Sequence, residues 1–399
     1  MSRNVPKLRF KGFEDEWKKE VLGDLIVEKI EKTEDKGKYP LYSLTIESGV
    51  VPKSDRYERE FLVKKEGNFK IVNNNDFVYN PMNLRFGALA IYKGDFPVSV
   101  SGYYNVFSFK NRGLEKFWDN YLKTDRMMYL YNTIATGSLE EKKRVHYSQF
   151  KELKLPMPSL QEQEKIANFL SKVDSIIEKQ EKKVEYWNSY KKGMMQKIFS
   201  QKIRFKDGNG MDYPEWEKKN LKYVLSEISE KTKENNQYEV LSSTANGVFK
   251  QSEYFNREIA SADNTGYKIL RLNQIVLSPQ NLWLGNINYN NKYDMGIVSP
   301  SYKIFNINKN LNEKYISYII KTDRMLYGYK QASEQGASVV RRNLNMDLFY
   351  DILINIPCVE EQEKIANFLS NIDNIIEKES KKLEELKQWK KGLLQQMFV

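Results

Sequence analysis

The chain has 399 residues, 40% of them hydrophobic and 13% aromatic, with 64 Lys and Arg against 53 Asp and Glu. That is enough apolar material for at least two ordinary cores, and the formal charge of +11 suits a polyanionic partner, nucleic acid or an anionic membrane surface. One cysteine, Cys358, and one histidine, His146, exclude an intramolecular disulfide and a Cys/His zinc cluster.

The opening Met1-Ser2-Arg3-Asn4-Val5-Pro6 has no signal-peptide apolar region, and no run approaches the roughly 18 to 20 apolar residues of a membrane span. A cytoplasmic protein without membrane contact is expected. Residues 1–158 carry short apolar or alternating runs: Pro40 to Leu44, Phe77-Val78-Tyr79, Ala88 to Tyr92 and Val106 to Phe109. Turn-forming clusters such as Asn73-Asn74-Asn75-Asp76 separate them. One helical stretch, Lys116 to Tyr131, follows, so the segment is expected to be a mixed α/β domain.

Residues 159–200 change character. Ile166, Phe169, Leu170, Val173, Ile176, Ile177, Val184, Trp187, Met194 and Ile198 recur in steps of three and four, and no proline follows Pro156 and Pro158. The spacing predicts an amphipathic helix; about 39 residues at 1.5 Å each make a rod of about 58 Å. Gly193 lies near its far end, where a close helix approach or a local bend is expected to explain it.

Residues 201–357 and 358–399 repeat this plan. Gln163-Glu164-Lys165-Ile166-Ala167-Asn168-Phe169-Leu170-Ser171 returns unchanged as Gln362-Glu363-Lys364-Ile365-Ala366-Asn367-Phe368-Leu369-Ser370, a period of about 199 residues. Leu8-Arg9-Phe10 and Trp17 match Ile203-Arg204-Phe205 and Trp216; Lys123-Thr124-Asp125-Arg126-Met127 matches Lys321-Thr322-Asp323-Arg324-Met325. Val240-Leu241, Ile275-Val276-Leu277 and Tyr302 to Phe305 supply strands, and Glu313 to Gln331 the helical stretch. The second stripe is Ile365, Phe368, Leu369, Ile372, Ile375, Ile376, Leu383, Leu386, Leu393, Leu394 and Met397, with Gly392 placed as Gly193 is.

The best use of two such stripes is to pack on one another, with Ile166, Phe169, Val173, Ile177 and Val184 against Ile365, Phe368, Ile372, Ile376 and Leu383. A compact domain between the rods brings its own ends together. The rods are therefore expected to run antiparallel, as a coiled-coil spacer with one domain at each end and an approximate two-fold between them. Two basic heads at a fixed distance match duplex DNA, with its own dyads and a repeat of about 34 to 36 Å. Because the loops of the two halves differ, an asymmetric bipartite target follows.

The ordered motifs, Leu-Arg-Phe or Ile-Arg-Phe with Trp early in each half, a Gly-Ser or Gly-Ala turn, then a Pro-x-Pro or Ile-Pro step into Glu-Gln-x-x-Ile-Ala-x-Phe-Leu, resemble the specificity (S) subunit of Type I restriction-modification systems. The resemblance covers nearly the whole chain. It implies a non-catalytic subunit with two target-recognition domains, residues 1–158 and 201–357, held apart by paired long helices. It also implies two methyltransferase (M) subunits carrying S-adenosylmethionine and restriction-translocation (R) subunits using ATP and Mg, with no cofactor on this chain. The second helix entry, Ile356-Pro357-Cys358-Val359, departs from Leu155-Pro156-Met157-Pro158-Ser159-Leu160 and bears on how that end is capped.

Two loop pairs are candidates for DNA contact. Ser138, Lys142, Lys143 and Arg144 follow Gly137, as Ser338, Arg341, Arg342 and Asn343 follow Gly336. A glycine turn admits a phosphate, and Arg and Asn reach guanine and adenine edges bidentately; the competing reading is a solvated basic loop. Asn83 and Arg85 after Pro81 match Asn281 and Trp283 after Pro279, a shared frame with changed reading residues, or simply a turn begun by Asn-Pro and Ser-Pro. His146 reads as a structural or phosphate-contact residue, since no Ser-His-Asp pattern accompanies it. Trp187 and Trp389 belong either to the helix core or to a partner-facing side. No GxxxxGK[ST] loop and no glycine-rich strand-turn-helix is present, so catalysis by the chain is not expected. A structural adaptor without DNA affinity is the alternative.

Overall fold

The computed structural model describes residues 5–53, 68–254, 263–335 and 342–398. It divides into two compact units, Met1–Glu181 with Lys381–Val399, and Lys182–Ser380.

In the first unit β1 (Lys18–Val21) leads through one helical turn, α1 (Leu22–Leu25), into β2 (Ile26–Lys29). Then come β3 (Lys32–Thr33), β4 (Tyr42–Thr45), β5 (Gly49–Pro52), β6 (Phe69–Val72), β7 (Phe77–Tyr79), β8 (Leu89–Ile91), β9 (Val98–Ser101) and β10 (Asn105–Phe109). Helices α2 (Glu115–Tyr121), α3 (Asp125–Ile134) and α4 (Tyr147–Lys151) precede β11 (Lys154–Met157) and the long α5 (Leu160–Phe199). The ladders are antiparallel: a sheet ordered β2-β10-β7-β8, a sheet β3-β6-β9, the hairpin β4-β5 and the pair β1-β11.

The central sheet separates two cores, because successive strand residues point to opposite faces. Phe77, Tyr79, Leu89, Ile91, Phe107 and Phe109 fill one core together with α2, α3 and the long helices. Val78, Ala90 and Val106, the residues between them, fill the other with Val72, Val98 and Val100. The large side chains thus lie toward the helices and the small ones toward the second sheet.

The second unit repeats the plan with β12 (Glu217–Asn220), α6 (Leu221–Val224), β13 (Leu225–Ile228), β14 (Leu241–Thr244), β15 (Gly247–Lys250), α7 (Gln251–Tyr254), β16 (Lys268–Arg271), β17 (Ile275–Leu277), β18 (Ile287–Tyr289), β19 (Met295–Val298) and β20 (Lys303–Ile307). Helices α8 (Glu313–Ile319) and α9 (Asp323–Gln331), the hairpin β21 (Ser333–Gln335) and β22 (Arg342–Leu344), α10 (Met346–Tyr350), β23 (Leu353–Ile356) and α11 (Val359–Met397) complete it. Its four-stranded sheet, β13-β20-β17-β18, is the counterpart of β2-β10-β7-β8, and β12-β23 that of β1-β11. Ile275, Leu277 and Phe305 face one core and Val276 and Ile304 the other. The architecture is mixed α/β in both units.

Each expected single helical stretch is in fact two helices. Thr124 marks the break after α2, its hydroxyl donating to Tyr121 O at 2.9 Å while Thr124 Oγ1 accepts from Met127 N at 3.4 Å to start α3. Thr322 donates to Ile319 O at 2.8 Å in the same place. Buried Tyr131 and Tyr329 then hold the breaks from within, their hydroxyls donating to Leu122 O and Ile320 O at 3.1 and 3.0 Å.

The long helices run in opposite directions within each unit. In the first, Asp174 meets Lys390 at 2.6 Å and Glu181 meets Lys387 at 2.7 Å; in the second, Lys183 meets Glu379 at 2.8 Å and Lys191 meets Asp373 at 2.5 Å. Ile166, Leu170, Val173 and Ile177 are buried in the core that holds Leu393, Met397 and Phe398, with Phe169 and Leu383 partly buried against it. Ile365, Leu369 and Ile372 share a core with Ile198, and Phe368, Ile376 and Trp187 pack partly buried against it. Val184 is half-buried, and Trp389 is 46% exposed. Gly193 and Gly392 mark no close approach: a Cβ at either would meet nothing within 4 Å. No helix among the described residues is long and apolar enough to cross a membrane.

A buried glutamate joins each α/β module to its long helix. Glu162 accepts from Arg9 Nε and Nη2 at 2.7 and 2.8 Å and from Trp17 Nε1 at 3.2 Å. Glu361 accepts from Arg204 Nε and Nη2 at 3.3 and 2.8 Å and from Trp216 Nε1 at 2.9 Å. The next residues, Gln163 and Gln362, donate back to Pro158 O and Pro357 O at 2.9 and 2.8 Å. Ser159 Oγ accepts from Glu162 N at 3.3 Å, and Cys358 replaces that hydroxyl with a thiol in the second copy, while the backbone bond from Gln362 N to Cys358 O, 3.0 Å, is kept.

Candidate nucleic-acid interface

The loop between β7 and β8 is one frame built twice. Asn83 O accepts from Phe86 N and Ala88 N, both at 3.0 Å, and Asn281 O accepts from Leu284 N and Asn286 N at 3.0 and 3.3 Å. Each asparagine sits at a φ near −110° to −120° with ψ close to zero (−109° and 3°, −121° and 11°), then a single 3-10 turn follows, Leu84–Phe86 or Leu282–Leu284. Gly87 and Gly285 close the turn at φ 92° and 86°, a left-handed backbone that only glycine takes without strain. The leucines Leu84 and Leu282 are the buried anchors, which leaves positions 85 and 283 to differ.

The basic loop is the second frame. In the first unit Thr136 and Arg144 exchange both backbone bonds at 3.0 Å, and Glu140–Lys142 form a 3-10 turn between them. Gly137 is required there: a Cβ would lie 2.8 Å from Lys143 Cα and 2.9 Å from Lys142 O. In the second unit the hairpin β21-β22 takes this place, with Glu334 opposite Asn343 and Gln335 opposite Arg342. Gly336, Ser338 and Arg341 lie outside the described residues.

The structure brings the two loops of each unit together. Val145 N donates to Pro81 O at 2.9 Å, and Arg342 N donates to Gln280 O at 3.3 Å. Side chains join them as well. Arg85 is 8% exposed; its guanidinium donates to the Glu140 carboxylate and to the Glu140 main-chain oxygen, and to Asn132 Oδ1 at 3.3 Å. Glu140 also pairs with Lys143 at 2.6 Å, and Lys143 first, then Arg85, hold its carboxyl down to about 2. In the second unit the Arg342 guanidinium lies over the Trp283 ring, 4.4 Å from its centroid. Arg85 Nε, Arg342 Nε and Trp283 Nε1 are buried donors with no partner among the described residues.

Around these contacts Asn83, Ser138, Lys142, Arg144 and Asn343 are exposed, and Lys143 and Asn281 are half-buried. His146 caps α4, its N–H donating to Gln149 Oε1 at 2.9 Å. Glu140 and Asn132 were not singled out by the sequence. Acidic and amide residues are common on helical surfaces, and no spacing marks these two as the partners of an arginine far away along the chain.

A family model described as the Type I restriction modification DNA specificity domain matches residues 14–186 and again residues 213–388. The chain is 26% identical over 315 residues to the Type I restriction enzyme MjaVIII specificity subunit of Methanocaldococcus jannaschii, covering 71% of this chain and 70% of that protein. Among solved structures, the Type I restriction-modification S subunit from M. genitalium superposes with a TM-score of 0.53 at 16% identity, over 99% of both chains. A chain from a study of assembly and conformational transition in the type I R-M system gives 0.50 at 14% identity, over 96% of this chain and 98% of that one.

Proposed function

The chain belongs to the family of Type I restriction-modification DNA specificity domains, and we propose that it is the subunit that gives such a complex its target sequence, each unit reading one half of an asymmetric bipartite site in duplex DNA. The long helices set the gap between the halves and dock two methyltransferase subunits. Restriction-translocation subunits complete the assembly. Methylation with S-adenosylmethionine, and cleavage with ATP and Mg, belong to those partners, and the complex works in the cytoplasm on DNA.

One observation carries the reading: the loops around Asn83 and Asn281 share one backbone frame and each meets a second loop of its own unit, while the side chains exposed there differ, Asn83, Ser138, Lys142 and Arg144 in one and Asn343 in the other. Shared frames with different donors suit two different half-sites.

Mapping N6-methyladenine in a host that carries the complete system tests this. A split, asymmetric motif that disappears when this chain is deleted is the expected result. A continuous or palindromic motif, or methylation indifferent to the chain, refutes it.

A further inference from the structure

We infer that Arg85 with Glu140 in the first unit, and Trp283 with Arg342 in the second, are positioning residues that lock the two loops of each unit together, and that bases are read by their exposed neighbours. The inference rests on the function proposed above and assigns roles within that site.

The two locks use opposite partners. In the first unit the arginine stands on the β7-β8 loop and is clasped by the basic loop; in the second the arginine stands on the basic loop and lies over a ring from the β17-β18 loop. Positions 85 and 283 are equivalent in the frame, each being the middle residue of its 3-10 turn, two residues before the left-handed glycine. A guanidinium therefore occupies the seam between the loops in both units, although it comes from different sides.

A base-reading arginine must offer two free parallel N–H groups to guanine O6 and N7. Arg85 does not: Nη1 is held by the Glu140 carboxylate and Asn132, Nη2 donates to the Glu140 carbonyl, and the remaining edge is out of reach, with Nε buried and the side chain 5% exposed. Its Phe86 neighbour presents a ring face to the guanidinium at 4.6 Å, which fixes the plane of the fork further. Arg342 has its π-face on Trp283, and this contact orients the segment that carries exposed Asn343. A lock of this kind acts at a distance from the base: it sets where Asn83, Lys142, Arg144 and Asn343 stand, and loop placement errors of an ångström are enough to lose a directional contact.

The experiment uses the complete system in its host, with methylated-adenine mapping as the readout. Arg85→Ala and Glu140→Ala are both expected to relax the same specified positions, in one half-site only, with methylation at the parental motif falling at least tenfold relative to relaxed sites. The exchange Arg85→Glu with Glu140→Arg is expected to restore the parental motif. In the second unit, Trp283→Ala relaxes the other half-site and Trp283→Phe, which keeps a ring for the cation, preserves it.

If Arg85→Ala changes the motif while Glu140→Ala leaves it intact, or if the exchange leaves one position relaxed, Arg85 reads a base and the inference fails. Unchanged motifs in all variants overturn it too. Where single variants lower the melting temperature of the complex, the exchange decides: recovered melting without the recovered motif rejects the positioning role. Loss of any bipartite motif in the unmodified system counts instead against the proposed function.

Discussion

Glu162 takes both ends of the Arg9 fork, one carboxylate oxygen 2.7 Å from Nε and the other 2.8 Å from Nη2, with the carboxylate 1% exposed. The pair, with Trp17 as a third donor, fastens the segment before β1 to the first turn of α5. The fork raises the Arg9 pKa above its ordinary value, the hydrogen bonds to Glu162 being the largest cause.

Removing the acceptor leaves a half-buried guanidinium and a buried indole unsatisfied. Glu162→Ala should therefore lower stability by on the order of 3 kcal/mol, and Glu361→Ala should do the same for Arg204 and Trp216. Denaturant unfolding of the full chain measures both, and a loss under about 0.5 kcal/mol would show the forks to be incidental.

Acid should open the first unit's loop lock in a defined window. The Glu140 carboxyl is held down to about 2, from an ordinary 4.5, by Lys143 and then Arg85. A depressed folded value means that the contribution is complete above about pH 4.5 and fades as pH falls toward 2. Carboxyl carbon NMR should place the Glu140 midpoint near 2 in the parent chain. It should rise only in part in Arg85→Ala, because Lys143 remains.

The long-helix stripe contains both core and surface positions. Leu170 is fully buried and Ile176 is 47% exposed, so Leu170→Ala should cost about 2 to 5 kcal/mol and Ile176→Ala under about 0.5 kcal/mol. Equal costs in urea titrations would contradict the side of the helix assigned to the core.

Glycines in two settings should answer alanine in opposite ways. Gly193→Ala adds a methyl where nothing lies within 4 Å and should stabilise by about 0.5 to 1 kcal/mol, the ordinary helix preference. Gly137→Ala drives a methyl to 2.8 Å from Lys143 Cα; thermal melting should change little, because the loop is exposed, while methylation of one half-site should weaken.

Salt should report on the exposed cations. Lys142 and Arg144 are exposed, and if they meet phosphates, replacing either with Ala should reduce the slope of log affinity against log salt by roughly one. Titrating the complex against random duplex reads this directly; an unchanged slope removes that residue from the backbone contacts.

The parts of this fold legible in the sequence were those with a period. The stripe from Ile166 to Ile198 dictates a helix whatever surrounds it, the repeated Gln163 to Ser171 block announces the second copy, and Phe77-Val78-Tyr79 reads as a strand that is apolar throughout. The break at Thr124 was not legible, because threonine caps and threonine within helices look alike until a buried Tyr131 is known to reach Leu122 O. Nor was β11, where Pro156 sits inside a strand. Proline removes a donor there, which a two-stranded ladder tolerates. The roles of Glu162 and Glu361 left a trace: a glutamate in the same place on the inner face in both copies. Arg85 and Glu140 left none, since their pairing depends on how two loops distant in sequence fold back on each other.

Phe398 lies 5.1 Å from Tyr121, 5.7 Å from Phe117 and 6.4 Å from Trp17, ring centre to ring centre, and Leu8 N donates to Gln396 O at 2.9 Å. During translation, at roughly 5 to 20 residues per second, the side chains around Trp17 leave the ribosome ten seconds or more before the segment that shields them. The earliest-made unit is therefore the last to close, and until it does a sticky aromatic face awaits its cover. Ribosome stalling within α11 should for that reason yield chains that chaperones retain, although everything through β23 has already been made.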